Sequence, residues 1–165
     1  MLSQMIRAGR LDRNFYSSLE FAGERAVGDA ALLVGVAHGV PAVIAMLLYR
    51  LPIASALSFV LFGIVAWLIS AGGMHLVATR VYEVPGRYET AMRPVGFAQV
   101  AAIPAALRIL PSGLSGLLIL GTLIWLFAAL VVISQVLYGH LDQQQHMATA
   151  AGGVGAWFLA TLFFI

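Results

Sequence analysis

Charged side chains are absent from two long stretches of this chain. No Asp, Glu, Lys or Arg occurs from residue 51 to 79, and none occurs from residue 143 to 165. An uncharged run of about 18 residues or more can cross the hydrocarbon core of a bilayer as a helix. Hydrophobic residues make up 61% of the chain and charged residues only 10%, against about a quarter charged in soluble domains. The sequence therefore predicts an integral membrane protein.

The apolar segments predict an all-α polytopic membrane helix bundle of about five transmembrane helices. The predicted transmembrane domain, residues 31–165, contains spans over residues 31–49, 54–79, 94–110, 114–138 and 147–165. A span needs about 20 residues, so the third segment is short, and Pro104 within it is expected to kink it. A re-entrant element is the alternative for that segment.

Residues 1–30 are predicted to form a cytoplasmic segment with an amphipathic interfacial helix. Apolar residues recur at steps of three or four, which places one apolar stripe along a helix, at Leu11, Phe15, Leu19, Ala22 and Ala26. The other face carries Arg13, Glu20, Glu24 and Arg25. Such a helix lies in the membrane interface or, as the alternative, docks under the bundle.

The arginines predict the orientation of the chain. With a cytoplasmic N-terminus, seven of the nine basic residues fall on the inner side, and only Arg50 and Arg108 fall on the outer side. This bias agrees with the positive-inside rule and places the C-terminus outside. Because the arginines are scattered, they do not form the basic patch of a nucleic-acid-binding protein, and no nucleic-acid partner is expected.

The acidic residues weigh against two functional classes. All seven lie outside the predicted spans or at their ends, whereas proton relays and ion-coupled transporters usually hold a carboxylate within the membrane. A carboxylate-driven transporter and an intramembrane aspartyl protease are therefore disfavoured. The chain contains no cysteine, which excludes disulfides, thiolate metal sites and a cysteine nucleophile.

His38 lies near the middle of the first predicted span, in the sequence GVAHG. It is a weak candidate ligand for a metal, haem or pigment. A neutral histidine that makes one interhelical hydrogen bond is the preferred interpretation, because no partner ligand accompanies it. Gly35 and Gly39 are four residues apart, a spacing that lets membrane helices approach closely, and both are candidate partner contacts.

Two further motifs favour structural roles. Residues 113–116 read G-x-S-G, but the histidines that follow, His140 and His146, are predicted on the opposite membrane side from Ser115, so a serine protease is disfavoured. His140, Asp142 and His146 could bind a metal. Asp142 with Gln145 also fits a capping box at the start of the fifth helix, and this interpretation is preferred.

Residues 71–94 combine polar and turn-forming residues between two apolar segments. His75 falls near the predicted cytoplasmic end of the second span, and Arg80, Arg87 and Arg93 follow it. Arginines at this face can hold anionic lipid headgroups. The four residues are the candidate contacts for a partner protein or for lipid.

The order of these motifs resembles the prokaryotic branch of the Yip family. The residues that carry the resemblance are His75, Leu76, Ala78, Gly86, Tyr88, Gly96, Phe97, Ala98, Pro104, Gly139 and Ala148, with the pair Phe15–Tyr16 before the first span. Yip proteins are five-span membrane proteins whose eukaryotic members interact with Rab/Ypt GTPases. The resemblance implies a five-span architecture and the bacterial cytoplasmic (inner) membrane.

Together these features predict a non-catalytic membrane protein without cofactor or metal. It is expected to act through helix–helix or lipid contacts, as an accessory or scaffolding subunit of a larger complex with other integral membrane proteins. The alternative is a small homo-oligomeric transporter or channel, in which His38, Gln99, Ser134 and Gln135 line a pathway.

Overall fold

The structure, a computed structural model, describes residues 2–23, 25–103 and 112–164. Every regular element in these ranges is helical, which confirms the predicted all-α class. The helices are α1 (Leu2–Gly9), α2 (Arg13–Glu20), α3 (Arg25–Tyr49), α4 (Ile53–Leu76), α5 (Tyr88–Ala98), α6 (Ser112–Leu137) and α7 (Gln143–Phe164). A π-helical turn over Val77–Val81 continues α4, and a 3₁₀ turn over Gln99–Ala102 continues α5.

Three helices in the described ranges are long and apolar enough to cross a membrane: Arg25–Tyr49, Ile53–Val81 and Gly116–Leu137. They correspond to the first, second and fourth predicted spans, and they make the chain compatible with an integral membrane protein. The third predicted span is described only as far as residue 103, so its kink at Pro104 lies outside the described residues. The remaining two crossings stay predictions.

The outer faces of the long helices are covered by large apolar side chains. Exposed residues of this kind include Leu32, Val36, Val40, Leu57, Leu61, Ile124, Phe158 and Leu159. A water-soluble protein rarely exposes so extensive an apolar surface, whereas lipid tails solvate it well. Many of the buried positions hold small side chains, such as Ala30, Ala66, Ala71, Ala129 and Ala150. Large apolar side chains therefore cover the outside of the bundle, and many of its buried positions hold small residues.

Glycines bring α4 and α7 into backbone contact. A methyl group on Gly73 would lie 2.6 Å from the carbonyl oxygen of Gly152 and would press against Ala156. A methyl group on Gly152 would press in turn against Val77. As residue numbers rise along α4 from Gly73 to Val77, the contacted positions in α7 fall, so the two helices are antiparallel.

The α6–α7 pair is also antiparallel. A methyl group on Gly153 would lie 2.8 Å from the side chain of Leu130. Oγ of Ser134 lies 2.9 Å from Nδ1 of His146. Residue numbers again rise in one helix as they fall in the other. Because α7 is antiparallel to both α4 and α6, these two helices run in the same direction.

Helix α5 returns along α4 after the turn at residues 82–87. The hydroxyl of Tyr88 donates to the carbonyl oxygen of Leu68 at 2.7 Å, and Nε1 of Trp67 donates to the carbonyl oxygen of Met92 at 2.8 Å. Gly96 then packs against the indole of Trp67, which leaves no room for a side chain there. Trp67 lies midway along Ile53–Val81, so α5 reaches the middle level of the bundle.

The N-terminal region packs against the bundle. Phe15, Tyr16 and Leu19 of α2 are buried, and the Phe15 ring meets the Phe97 ring edge-on at 5.2 Å. The hydroxyl of Tyr16 donates to the carbonyl oxygen of Ala8, which ties α2 to α1. Helix α2 packs on both α5 and α6.

The structure does not contain the single amphipathic helix that the sequence predicts within residues 1–30. Leu11 lies in a left-handed turn (φ 54°) before α2, and Ala26 already belongs to α3, which begins at Arg25. Helix α2 ends at Glu20 and Ala22 lies in the connection before α3, so the predicted stripe is divided among two connecting segments and two helices. The reason is that the capping carboxylate of Asp12 starts a new helix, which periodicity does not reveal.

We expect Gly73→Ala to destabilise the bundle by about 1–3 kcal/mol. The added methyl group would collide with the backbone of Gly152 and force α4 and α7 apart. Gly155→Ala is the matched control, since a methyl group there meets nothing within 4 Å. Its effect is expected to be neutral or slightly stabilising, given the higher helix propensity of alanine. Denaturant unfolding in detergent measures both variants, and equal stabilities would contradict the crossing.

Candidate functional site

His75 lies at the centre of a cluster that joins three segments of the chain. Its Nδ1 is 3.2 Å from the hydroxyl of Tyr138, the residue that follows α6, and its ring is 6.0 Å from the ring of Tyr88 at the start of α5. A methyl group on Gly86 would lie 3.2 Å from the Tyr138 ring. The turn before α5 therefore lies against His75 and Tyr138. We call His75, Gly86, Tyr88 and Tyr138 the His75 cluster.

Burial further disfavours ionisation of the two phenols of the His75 cluster. It raises the pKa of Tyr138 well above its ordinary value and raises the pKa of Tyr88 as well. The hydroxyl of Tyr88 donates to the Leu68 carbonyl, and the hydroxyl of Tyr138 shares a hydrogen bond with Nδ1 of His75 whose direction depends on the imidazole tautomer. The cluster holds together the end of α4, the end of α6 and the start of α5, which is a positioning role.

The π-helical turn after His75 changes the direction in which the following side chains point. A π turn adds one residue to a helical turn, and such turns are frequent at functional sites. The hydroxyl of Thr79 donates to the His75 carbonyl oxygen at 2.8 Å. Glu83, just beyond the turn, has a left-handed backbone (φ 56°). Arg80, which lies within the π turn that continues α4, is exposed.

The three arginines predicted as one contact site are divided by the structure. Arg80 and Arg87 are exposed, and Arg87 lies 3.6 Å from the carboxylate of Glu89. Arg93 instead donates from Nη1 to the carbonyl oxygen of Glu20 at 3.1 Å, at the end of α2. Arg93 therefore caps α2 and fixes the N-terminal region to α5. No sequence motif signals this role, because Glu20 is 73 residues away.

His38 is a packed side chain in the α3–α4 interface. It is buried, and its Nδ1–H donates to the carbonyl oxygen of Val34 at 3.0 Å, within the same helix. The imidazole packs against Phe59 and Phe62, and it covers Gly63 so closely that a methyl group would overlap it. The predicted glycine contact exists, but Gly63 of α4 supplies it, and the hydrogen bond is intrahelical where an interhelical one was predicted.

Gly35 and Gly39 do not mediate a close approach to another helix among residues 2–23, 25–103 and 112–164. A methyl group on Gly35 would meet nothing within 4 Å, and one on Gly39 would lie at ordinary contact distance, 3.5 Å, from Val60. Both glycines line a shallow groove on the outer side of α3, beside Val36 and Val40.

The loop before α7 forms the predicted capping box. The backbone N–H of Gln145 donates to Asp142 at 2.8 Å, and the backbone N–H of Asp142 donates to the Gln145 side chain at 3.0 Å. Within residues 2–23, 25–103 and 112–164 no group of three His, Cys, Asp or Glu side chains could hold a metal. Ser134 joins α6 to His146 of α7 through a hydrogen bond. The side chain of Ser115 lies outside the described residues.

No protein-family model, curated protein or solved structure matches the chain. Functional conclusions therefore rest on the geometry of its helices.

A double-mutant cycle tests whether His38 is a packing residue. We expect Gly63→Ala to cost about 1–3 kcal/mol, because the new methyl group overlaps the imidazole. In a His38→Ala background the same change is expected to cost less than half as much, since the ring is gone. Denaturant unfolding of the four proteins gives the coupling free energy. An equal cost in both backgrounds would contradict the contact.

Proposed function

We propose that this chain is a non-catalytic membrane protein that works through helix–helix and lipid contacts, as an accessory subunit of a larger complex. The observation that carries the proposal is the open small-residue face of α3. Gly35 has free space around it, while Val36 and Val40 project beside it. Small residues let membrane helices approach closely, so this face fits a helix of a partner membrane protein.

The helix directions support five crossings. Because α4 and α6 run in the same direction, the chain that leaves the end of α4 must return to the other side before α6 begins. The connection spans residues 82–111, and α5 already carries it to the level of Trp67. Helix α7 has 22 residues, which is roughly 33 Å at 1.5 Å per residue. That length is sufficient for a fifth crossing.

The proposal includes a cytoplasmic N-terminus, an external C-terminus and the bacterial cytoplasmic membrane. The arginine distribution supports the orientation. Five crossings with this orientation agree with membership of the prokaryotic Yip branch, which we retain as part of the proposal. In this arrangement the His75 cluster, Arg80 and Arg87 face the cytoplasm, where the arginines can contact anionic headgroups.

A homo-oligomeric transporter is the second candidate, and one observation favours it. Five buried side-chain atoms lack a hydrogen-bond partner in the described part of the chain: Oγ of Ser70, Nε of Arg93, Nε2 of Gln99, Oγ1 of Thr149 and Nε1 of Trp157. Such atoms are costly in a membrane interior and can mark a path for a polar solute. Solute flux in reconstituted liposomes that Gln99→Leu abolishes would favour this candidate.

Co-purification tests the accessory role. Extraction of the tagged chain in mild detergent is expected to recover a stoichiometric membrane partner, identified by mass spectrometry. Gly35→Leu is expected to reduce the recovered partner at least tenfold, because leucine fills the open face. Gly116→Leu on α6 is the matched control, since its position is equally open. Recovery of only a monomer or a homo-oligomer would contradict the accessory role.

A further inference from the structure

Two opposite charges lie on the same side of α3 as its shallow groove. Arg25 and Asp29 are exposed and four residues apart, so they lie on one side of the helix. Leu32 and Val36, which line the groove and are exposed, continue that side at steps of three and four residues. The charged pair and the apolar groove therefore form one continuous surface, which we call the α3 face.

The charges of the α3 face have no ion-pair partner in the described part of the chain. Arg25 and Asp29 do not pair with each other, and neither pairs with another described residue. A pair in which the basic residue precedes the acidic one by four positions is also the less favourable order within a helix. Both side chains are therefore available to a second molecule.

Asp29 lies on the flank of the bundle, well away from the end of α4. The next residue, Ala30, lies against Gly96, where an added methyl group would also meet the indole of Trp67. Asp29 is therefore level with the middle of Ile53–Val81, roughly 21 Å from Val81 at 1.5 Å per residue. A carboxylate that borders lipid is costly unless a cation compensates it. We therefore expect a cation to approach Asp29 from outside the chain.

We propose that the partner helix on the α3 face carries a basic residue opposite Asp29 and an acidic residue opposite Arg25. The two interhelical ion pairs fix the register of the contact, which the apolar residues of the groove alone do not specify. This inference rests on the proposed accessory role and gives the chemistry of its partner. Complementary charges also select one partner among many membrane helices, because like charges at an interface repel each other.

A second copy of the chain fits the α3 face less well. Two copies in one membrane have the same orientation, and a two-fold axis between them places equal positions side by side. Asp29 would then lie beside Asp29, and Arg25 beside Arg25, which is unfavourable. A different membrane protein can present the opposite charge at both levels.

Photo-cross-linking in native membranes tests the chemistry of the partner. The full chain carries p-benzoylphenylalanine in place of Leu32, which is 56% exposed and lies three residues after Asp29. We expect a cross-link to an apolar segment of another membrane protein, with a Lys or Arg within about one helical turn of the cross-linked residue and an acidic residue about one turn beyond it. A segment without a basic residue, a cross-link to a second copy, or no cross-link to any protein would overturn the proposal.

Exchange of the two charges tests the pairing by co-purification in mild detergent. The double variant with Arg25→Asp and Asp29→Arg keeps the composition and net charge of the chain and reverses the order of the charges. We expect it to recover about tenfold less partner, because each charge now meets a like charge. Arg10→Gln and Glu89→Gln remove exposed charges elsewhere and are the controls, expected to recover the partner like the original chain. Unchanged recovery by the exchanged variant, or an equal loss in the controls, would contradict the ion pairs.

Failure of this inference can be told from failure of the accessory role. A partner that is lost with Gly35→Leu but retained when Arg25 and Asp29 are exchanged would contradict only the ion pairs. Recovery of no partner by the original chain would contradict the accessory role and the ion pairs with it. Should the exchanged variant fail to fold by circular dichroism, the cross-link from position 32 decides.

Discussion

The backbone contact between α4 and α7 is the constraint on which the rest of the architecture depends. Gly73 and Gly152 let the two helices touch without intervening side chains. Because α7 also packs antiparallel on α6 through Leu130 and Ser134, this crossing makes α4 and α6 parallel. This parallel order supports the proposal that the chain crosses the bundle again between α4 and α6. A change in the α4–α7 crossing would therefore alter the topology as well as the stability.

Membrane helices gain little from burying apolar surface, since lipid tails are as apolar as leucine, and they associate through close packing and hydrogen bonds. This chain uses both. Small residues close the α4–α7 and α5–α4 contacts, while Trp67 and Tyr88 donate hydrogen bonds from one helix to the backbone of another. His38 contributes its ring to packing on Gly63. The polar side chains of the core thus serve mainly to fix neighbouring helices.

The sequence predicts the elements of this fold better than their partners. Charge-free runs locate the long helices, because the bilayer demands length and apolarity, and Asp142 with Gln145 predicts its capping box, because that motif is local. Helix pairing is not local. Glycines occur on several helix faces. Their spacing does not distinguish Gly35, around which a methyl group would meet nothing within 4 Å, from Gly73, which contacts the backbone of Gly152. The capping of α2 by Arg93 joins residues too distant in sequence for any pattern to indicate.

We propose that residues 82–111 cross the membrane between the parallel helices α4 and α6. The absence of cysteine from the chain allows single cysteines to be labelled with a membrane-impermeant maleimide in intact cells. Arg87→Cys and Ser112→Cys flank the crossing, with Arg50→Cys as the outer reference and His140→Cys as the inner one. We expect labelling of the cysteines at 50 and 112 from outside, and of those at 87 and 140 only after permeabilisation. Labelling of positions 87 and 112 from the same side would contradict it.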